Sequence, residues 1–339
     1  MNSQKNDTHK EFLSCDWGTS NFRLRVIRTP ELEVLAEETS DEGVSKVLKD
    51  WQATNDKDDN KRAAFYFDIL KKHIAQLEKK LNRTLDGVQV VISGMASSSI
   101  GFADLPYQPL PISTDGTDMQ SKTFKATDDF KHEVLLLSGV KSDDDVMRGE
   151  ETQLIGCIKP DMDKYDGEQL FVHPGTHSKH ITVKDKHITA FKTFMTGEFF
   201  KLLSTQSILH ENVAEDAAFK KDSRSFASGV RDSLNANLLH AAFRVRTNDL
   251  FKKLTKKDNC LYLSGLLIGY ELQELKHSKA KIYLASGASL ADQYALALST
   301  LEIEHKVTVL PPEWVDESVI RGQYKILTNN KNVYHEQKI

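Results

Sequence analysis

The chain has 339 residues, of which 39% are hydrophobic, so it is long enough to form two domains with separate cores. The 45 basic and 49 acidic residues leave a net charge of -4, which excludes the basic surface that nucleic acids require and a polybasic segment for membrane lipids. The polar N-terminus has no apolar h-region, so we expect no secretory signal, and the three cysteines are widely spaced without a CxxC pair. We therefore expect a cytoplasmic protein with neither nucleic-acid nor membrane partners, and homo-oligomer formation stays open.

The first predicted element is a hairpin, with strands at residues 12–15 and 22–27 and a turn at residues 16–20. A glycine in a tight turn lets backbone N–H groups approach a phosphate, and neighbouring hydroxyls add donors. An ordinary hairpin turn would use the same residues. The functional interpretation makes Gly18, Thr19 and Ser20 phosphate ligands, Arg23 a partner of the transferring oxygens, and Asp16 a Mg²⁺ site through water.

Helical spacing follows over residues 63–81, and strands are predicted at 88–92 and 134–137. Residues 50–62 and 115–131 are polar and are predicted to be loops. The first of these strands leads into a segment rich in serine, which could contact a polyol or could be a flexible capping loop. The functional interpretation makes Gly94, Met95 and Ser97 substrate contacts.

A helix is predicted next, over residues 148–158, with acidic residues in its first turn. Phosphoryl transfer to a hydroxyl benefits from a carboxylate that orients the hydroxyl and accepts its proton, and either Glu150 or Glu151 could do this. The planar guanidinium of Arg148 could bind a substrate carboxylate. Acidic residues also suit any solvated helix N-terminus, because they complement the helix dipole.

The second half repeats the pattern of the first hairpin. Predicted strands at residues 169–173 and 180–183 flank a turn that contains Gly175, Thr176 and Lys179. Each Gly–Thr pair opens one half of the chain, which predicts a duplicated α/β domain. Further on, a strand at 281–285 and a helix at 290–301 enclose a turn in which Gly287 and Ser289 could hold a nucleotide, although a plain strand–helix loop would use the same residues.

Several motifs resemble those of the 2-oxo-3-deoxygalactonate kinases, in the same order. Residues 16–23 (DWGTSNFR) are similar to the first phosphate motif, 146–156 (VMRGEETQLIG) to the most distinctive signature, and 174–179 (PGTHSK) to the second phosphate motif. Residues 194–198 (FMTGE), 263–269 (LSGLLIG) and the turn at 286–287 also fit. The resemblance covers about residues 12–322, while residues 50–62, 115–131 and the flanks of 286–289 match less well.

The resemblance implies an actin/hexokinase-like α/β fold of two ribonuclease H-like domains with ATP in the cleft between them. Residues 1–145 would carry the first phosphate turn and part of the sugar-acid site, and residues 146–339 the second phosphate turn and the adenosine turn. The implied reaction of galactonate catabolism is Mg²⁺-dependent transfer of the ATP γ-phosphoryl group to the 6-hydroxyl of 2-dehydro-3-deoxy-D-galactonate. In related sugar kinases an acidic residue near a helix start is the base, a location that Glu150 and Glu151 both match. Of the two we choose Glu150, and the loop residues 143–145 are nearby alternatives. The alternatives are a kinase of another sugar or amino sugar and a non-kinase ATPase of this fold.

Overall fold

The computed structural model describes residues 10–54, 58–215, 217–221, 223–330 and 333–335. Residues 1–9, on which the prediction about a secretory signal depends, lie outside these ranges. The chain divides into two compact units. Unit 1 contains the residues up to Tyr165, Lys186–Ile188 and those from Glu317 onward, and unit 2 contains Asp166–Asp185 and Thr189–Asp316. None of the helices within the described residues is long and apolar enough to cross a bilayer.

The strands are numbered in chain order. They are β1 (Glu11–Trp17), β2 (Phe22–Arg28), β3 (Glu33–Ser40), β4 (Gln89–Gly94), β5 (Gln108–Pro109), β6 (Ile112–Ser113), β7 (Ser121–Phe124), β8 (Val134–Leu137), β9 (Val140–Lys141), β10 (Val146–Met147), β11 (Gln169–His173), β12 (Ser178–Lys184), β13 (His187–Phe194), β14 (Lys281–Leu284), β15 (Val307–Val309) and β16 (Val333–His335).

The α-helices are numbered in the same way. They are α1 (Val44–Gln52), α2 (Asp59–Leu81), α3 (Glu150–Cys157), α4 (Thr196–Thr205), α5 (Arg224–Ser233), α6 (Leu238–Leu250), α7 (Lys256–Leu272), α8 (Ala288–Thr300), α9 (Pro312–Asp316) and α10 (Ser318–Asn329). Three of them have an N-cap residue whose side chain accepts a hydrogen bond from a backbone N–H of the first turn, an arrangement that stabilises helix N-termini. These caps are Ser223 for α5, Asn237 for α6 and Thr255 for α7.

Unit 1 contains a seven-stranded sheet in the order β16-β7-β8-β4-β1-β2-β3. Strand β1 pairs antiparallel with β2 and parallel with β4, and β4 pairs parallel with β8. Five of the six residues of β4 are buried, which is typical of a parallel strand covered on both faces. The core of unit 1 contains large side chains from the sheet and from α2, including Leu13, Trp17, Tyr66, Leu70 and Val90.

Unit 2 repeats this strand order. Its strands lie in the order β15-β14-β11-β12-β13, which matches β8-β4-β1-β2-β3. Strand β11 pairs antiparallel with β12 and parallel with β14, and β14 pairs parallel with β15. The prediction of a duplicated α/β domain is thus confirmed. Each Gly–Thr pair lies in the turn of the hairpin whose first strand is the middle one of these five matched strands.

Two segments predicted to be loops contain regular structure. Residues 50–52 form the end of α1. This helix is charged on its exposed face and buries Val44, Val47 and Trp51 on the other. Helix α2 begins at Asp59, and residues 55–57 lie outside the described ranges. Residues 121–124 form β7, which pairs antiparallel with β8. Because this pairing satisfies the backbone groups, the segment can be buried although it contains serine and threonine.

The unit boundaries differ from the predicted division at residue 145. Residues 146–165 and those from Glu317 onward cluster with unit 1, because α3 and α10 pack without side chains between them. A β-carbon at Gly156 would lie 1.7 Å from the carbonyl oxygen of Ser318, and one at Gly322 would lie 2.0 Å from that of Thr152. Glycines at these two positions therefore allow the acidic helix α3 to pack closely against α10 of unit 1.

Candidate active site

The first phosphate turn joins β1 to β2 and has a braced backbone. The N–H of Gly18 donates to the carbonyl of Asn21 at 2.9 Å, and the N–H of Val44, at the start of α1, donates to the carbonyl of Gly18 at 2.9 Å. Thr19 and Ser20 are exposed. The predicted phosphate ligands thus lie together on a fixed turn with their hydroxyls accessible.

Asp16 lies at the end of β1, opposite Arg23 of β2. Burial raises the pKa of the Asp16 carboxyl above its ordinary value, the positive charges of Arg23 and Arg25 oppose that rise, and the negative charge of Glu150 adds to it. The side chain of Arg25 is held by Glu37 at 2.5 Å, whereas Arg23 is 44% exposed and 3.8 Å from the same carboxylate. The side chain of Arg23 is therefore exposed on the strand opposite Asp16.

Two glycines bring the end of β4 and the start of α3 close to Asp16. Gly94 has φ of 96°, and a β-carbon there would lie 2.7 Å from the carbonyl oxygen of Trp17 and 3.6 Å from Oδ1 of Asp16. Gly149 has φ of 111°, and its β-carbon would lie 3.3 Å from the α-carbon of Gly94. These residues meet at the carboxyl edge of parallel strands β1 and β4, where α/β sheets bind their ligands.

The two glutamates at the start of α3 have different surroundings. Glu150 is partly buried, and its Oε2 accepts a hydrogen bond from the N–H of Arg148 at 3.0 Å. Glu151 is fully buried, and it accepts the N–H of Gly149 at 2.8 Å and the hydroxyl of Thr152 at 3.1 Å. Burial, aided by the charge of Glu150, raises the pKa of Glu151 to about 7. Glu151 therefore acts as a cap of the helix, and Glu150 is the accessible carboxylate beside Asp16.

Arg148 and Ser97, both predicted to contact substrate, are enclosed in unit 1. Nη1 of Arg148 donates to the carbonyl and to the hydroxyl of Ser97, both at 2.6 Å, and Nη2 donates to the carbonyl of Leu105 at 3.1 Å. The guanidinium carbon lies 4.1 Å from the ring centre of Tyr107. Arg148 is 8% exposed and Ser97 is 0% exposed. Because these terminal nitrogens already bind the loop after β4, we revise the role of both residues to support of that loop.

The other two predicted substrate contacts, Gly94 and Met95, lie where that loop begins, with Met95 partly buried against the core. A residue that no local sequence pattern singles out supports the same edge from α10. Nε2 of Gln323 donates to the carbonyl of Cys15 at 2.8 Å and to the hydroxyl of Ser93 at 2.9 Å, so it ties β1 to β4. A glutamine in an amphipathic helix carries no local signal of this role.

The second phosphate turn lies in unit 2. Thr176 is exposed at its tip and Gly175 is partly buried. Helix α4 packs directly on the turn, because a β-carbon on Gly197 would lie 2.8 Å from the carbonyl oxygen of Gly175 and from the α-carbon of Thr176. The N–H of Glu198 donates to the carbonyl of Thr176 at 3.0 Å. The predicted ligands Gly175 and Thr176 are therefore fixed from one side and accessible from the other.

Lys179, predicted to neutralise transferring oxygens, lies beneath this turn. It is 4% exposed, and its ammonium group donates to the carbonyl of His177 at 3.3 Å. Burial, with a further contribution from the charge of Lys179, lowers the pKa of His173 to about 4, so that imidazole is neutral near pH 7. The buried ammonium group of Lys179 thus contacts the turn at the carbonyl of His177.

A cavity of about 300 Å³ opens beside the second phosphate turn, entirely within unit 2. Its wall is mainly apolar with a few polar groups, a composition typical of small-molecule sites. The lining includes Gly175, Gly197, Leu261, Ile268, Leu290 and Gln293. Gly287 caps α8, which forms one wall of the cavity, and Ser289 is exposed in the first turn of that helix. The predicted adenosine turn therefore begins the helix that borders this cavity.

Comparisons with known proteins point to one family. The profile of a family described as 2-keto-3-deoxy-galactonokinase matches residues 16–325. A Rhizobium meliloti (strain 1021) protein named as a probable 2-dehydro-3-deoxygalactonokinase is 32% identical over 270 residues, which cover 77% of this chain and 79% of that protein. The 2-dehydro-3-deoxygalactonokinase of Escherichia coli (strain K12) is 32% identical over 225 residues, 62% of this chain and 70% of that protein. A crystal structure of a Sinorhizobium meliloti protein, provisionally assigned as a 2-dehydro-3-deoxygalactonokinase, has a TM-score of 0.76 and 30% identity, and covers 93% of this chain and 97% of that one.

Proposed function

The chain belongs to the 2-keto-3-deoxy-galactonokinase family, and we propose that it transfers the γ-phosphoryl group of ATP to the 6-hydroxyl of 2-dehydro-3-deoxy-D-galactonate. One observation carries the proposal: Glu150 and Asp16 lie within electrostatic range of each other beside the first phosphate turn, at the carboxyl edge of β1 and β4. This edge offers a carboxylate for the accepting hydroxyl next to a carboxylate for a metal–phosphate group. We place the reaction in the cytoplasm, where the three buried cysteines remain thiols.

The two Gly–Thr turns are proposed to hold the triphosphate. The support is that each exposes a threonine on a braced backbone at the corresponding hairpin of the duplicated fold. Backbone N–H groups and hydroxyls there can donate to phosphate oxygens. The cavity of unit 2 adjoins Gly175 and is apolar enough for a purine, so we propose that adenosine binds there, with Gly287 and Ser289 at its border.

Mg²⁺ fits the residues at the first turn. Within the described ranges, no three His, Cys, Asp or Glu side chains form a metal site. Mg²⁺ in phosphoryl-transfer enzymes is usually held by one or two carboxylates together with substrate phosphates and water, so a protein-only site is not required. Asp16 has the hard oxygen ligand that such an ion prefers, and a bound cation would favour its ionised form. When bound, the ion would neutralise charge on the phosphates.

The accepting hydroxyl is proposed to be oriented by Glu150. Its carboxylate is partly accessible, whereas Glu151 is buried as a cap. The transition state of phosphoryl transfer is loose, so positioning of the hydroxyl contributes alongside proton removal. Arg23, on the accessible side of the first turn, is proposed to stabilise charge on the transferring group. The sugar acid is proposed to contact the backbone at Gly94 and Met95, which Arg148 and Ser97 hold in place from behind.

The test is an ATP-dependent phosphorylation assay with a panel of 2-keto-3-deoxy sugar acids, neutral sugars and amino sugars. We expect 2-dehydro-3-deoxy-D-galactonate to give the highest kcat/KM, and the product to carry phosphate on its 6-hydroxyl. A higher kcat/KM with a neutral or amino sugar would instead favour a kinase of that substrate. ATP hydrolysis that is independent of every acceptor would favour a non-kinase ATPase.

A further inference from the structure

A buried network of hydrogen bonds in unit 2 is centred on the carboxylate of Glu271, at the end of α7. One of its oxygens accepts the hydroxyl of Tyr294 at 2.8 Å and the hydroxyl of Thr196 at 2.5 Å. The other oxygen lies 3.3 Å from Nε2 of His180. The hydroxyls of Tyr294 and Ser178 are 3.2 Å apart, which extends the network to the first residue of β12.

This network reaches the second phosphate turn along two routes. On the first, the hydroxyl of Ser178 accepts the N–H of Gly175 at 3.2 Å, so it fixes the backbone of the turn. On the second, Thr196 precedes Gly197, which packs on the turn. Tyr294 and Thr196 also line the cavity proposed for adenosine, whereas the central carboxylate does not. The carboxylate of Glu271 is thus connected to the proposed phosphate turn and lies outside the lining of the cavity proposed for adenosine.

A carboxylate in this position is unfavourable for folding unless it has several partners, because burial removes its hydration. Glu271 is 2% exposed and has three side-chain partners, and those partners come from β12, α4 and α8. Apolar side chains would fill the same space without the loss of hydration. The arrangement instead imposes directional constraints on three elements that meet at the phosphate turn.

We infer that Glu271 is a positioning residue for nucleotide binding. Through Tyr294 and Ser178 it fixes the backbone of the turn at Gly175, and through Thr196 it keeps α4 packed on the turn, so that the exposed Thr176 stays in place to bind phosphate. This inference rests on the proposed function, in which unit 2 binds ATP. Glu271 itself contacts no part of the nucleotide.

The test measures nucleotide affinity of the full chain by calorimetry for Glu271→Gln and Tyr294→Phe, with ATP, ADP and adenosine as separate ligands. We expect ATP and ADP to bind about tenfold more weakly to both variants, the effect of about one lost hydrogen bond. Adenosine affinity should stay as in the wild type, because Glu271 does not line the cavity and phenylalanine keeps the ring of Tyr294 while removing only the hydroxyl that binds Ser178 and Glu271. The KM for ATP should rise in parallel, and the KM for the sugar acid should not. Ser178→Ala, which removes only the last link to Gly175, should show the same selectivity and carries the test if a Glu271 variant does not fold.

Tyr262→Phe is the matched control. Tyr262 is 2% exposed on the same helix as Glu271, and its hydroxyl donates to the carboxylate of Asp232 at 2.7 Å, away from the phosphate turn. This variant should lose stability comparable to Tyr294→Phe and bind ATP normally. Wild-type ATP affinity in Tyr294→Phe and Glu271→Gln would overturn the inference, as would an equal loss in Tyr262→Phe or an equal loss of adenosine. A wild-type protein that binds no ATP would instead contradict the proposed function on which the inference rests.

Discussion

A β-carbon on Gly149 would lie only 3.3 Å from the α-carbon of Gly94, so the start of α3 and the end of β4 touch through their backbones. Both glycines have positive φ, a conformation that side chains of L-residues rarely adopt. The contact places the first turn of α3 beside Asp16, which lies in the neighbouring strand β1 in register with Ser93. Two positions without side chains thus set the distance between the two carboxylates of the proposed site.

The first prediction concerns Gly94→Ala. Its β-carbon would lie 2.7 Å from the carbonyl oxygen of Trp17, a backbone atom that cannot rotate away. Gly87→Ala is the matched control, because Gly87 also has positive φ but has nothing within 4 Å of its β-carbon. We expect Gly87→Ala to cost about 1 kcal/mol of unfolding free energy and Gly94→Ala to cost at least about 1 kcal/mol more, with a fall in kcat. Denaturant unfolding measures both, and equal losses would contradict the close contact.

The second prediction is that Asp16→Asn removes most of the activity and leaves the fold intact. Burial already disfavours the charge of Asp16, so a neutral isostere should not lower the unfolding midpoint. Loss of the carboxylate that places Mg²⁺ and the triphosphate should reduce kcat by at least about 10²-fold. The measurements are kcat over a range of Mg²⁺ concentrations and thermal unfolding. A normal kcat with unchanged Mg²⁺ dependence would remove Asp16 from the mechanism.

The third prediction concerns the pH dependence of stability contributed by Glu151. Its pKa is raised to about 7 in the folded protein, so between the ordinary carboxyl value and about 7 the folded state binds more protons than the unfolded state. Stability from this group is therefore present at low pH and is lost as pH rises through about 7, by up to about 3 kcal/mol. Glu151→Gln should gain stability relative to the wild type between pH 5 and pH 8. A difference that does not change with pH would show that the pKa of Glu151 is not raised.

Much of the fold and part of the site could be predicted from local sequence patterns. The Gly18–Thr19 and Gly175–Thr176 turns, the acidic start of α3 and the strand–helix turn at Gly287 each involve neighbouring residues, so their spacing identified them. Contacts between distant residues left no such pattern. Gln323 binds the carbonyl of a residue 308 positions earlier in the chain.

Charged side chains were the hardest to assign for the same reason. The guanidinium of Arg148 suggested a substrate carboxylate, but its partners are the backbone and hydroxyl of a serine 51 positions earlier. Glu271 gave no signal, because its partners come from three separate elements. The sequence shows that a charge is present, and only the tertiary structure shows whether that charge is already satisfied within the protein.

The last prediction separates the two glutamates of α3. Glu150 is partly accessible and lies within electrostatic range of Asp16, whereas both carboxylate oxygens of Glu151 accept the N–H of Gly149. Glu150→Gln should therefore lower kcat by about 10²–10⁴-fold, the usual contribution of a general base, and change the KM for ATP little. Glu151→Gln is the matched control and should lose only a few-fold in kcat.

Glu150→Ala extends this comparison, because a glutamine can still accept a hydrogen bond from the sugar hydroxyl and an alanine cannot. If orientation dominates in the loose transition state, Glu150→Gln should retain rate that Glu150→Ala loses, and equal losses would assign the effect to proton transfer. If Glu151→Gln loses most of its kcat and Glu150→Gln does not, then Glu151 is the base and Glu150 is not.

If neither variant loses more than a few-fold in kcat, the base lies elsewhere, and the acidic segment at residues 143–145 is the next place to substitute. A complex with the sugar acid should place the carboxylate of Glu150 about 2.6–3.2 Å from the accepting hydroxyl, because only that reach allows it to orient the oxygen and take its proton.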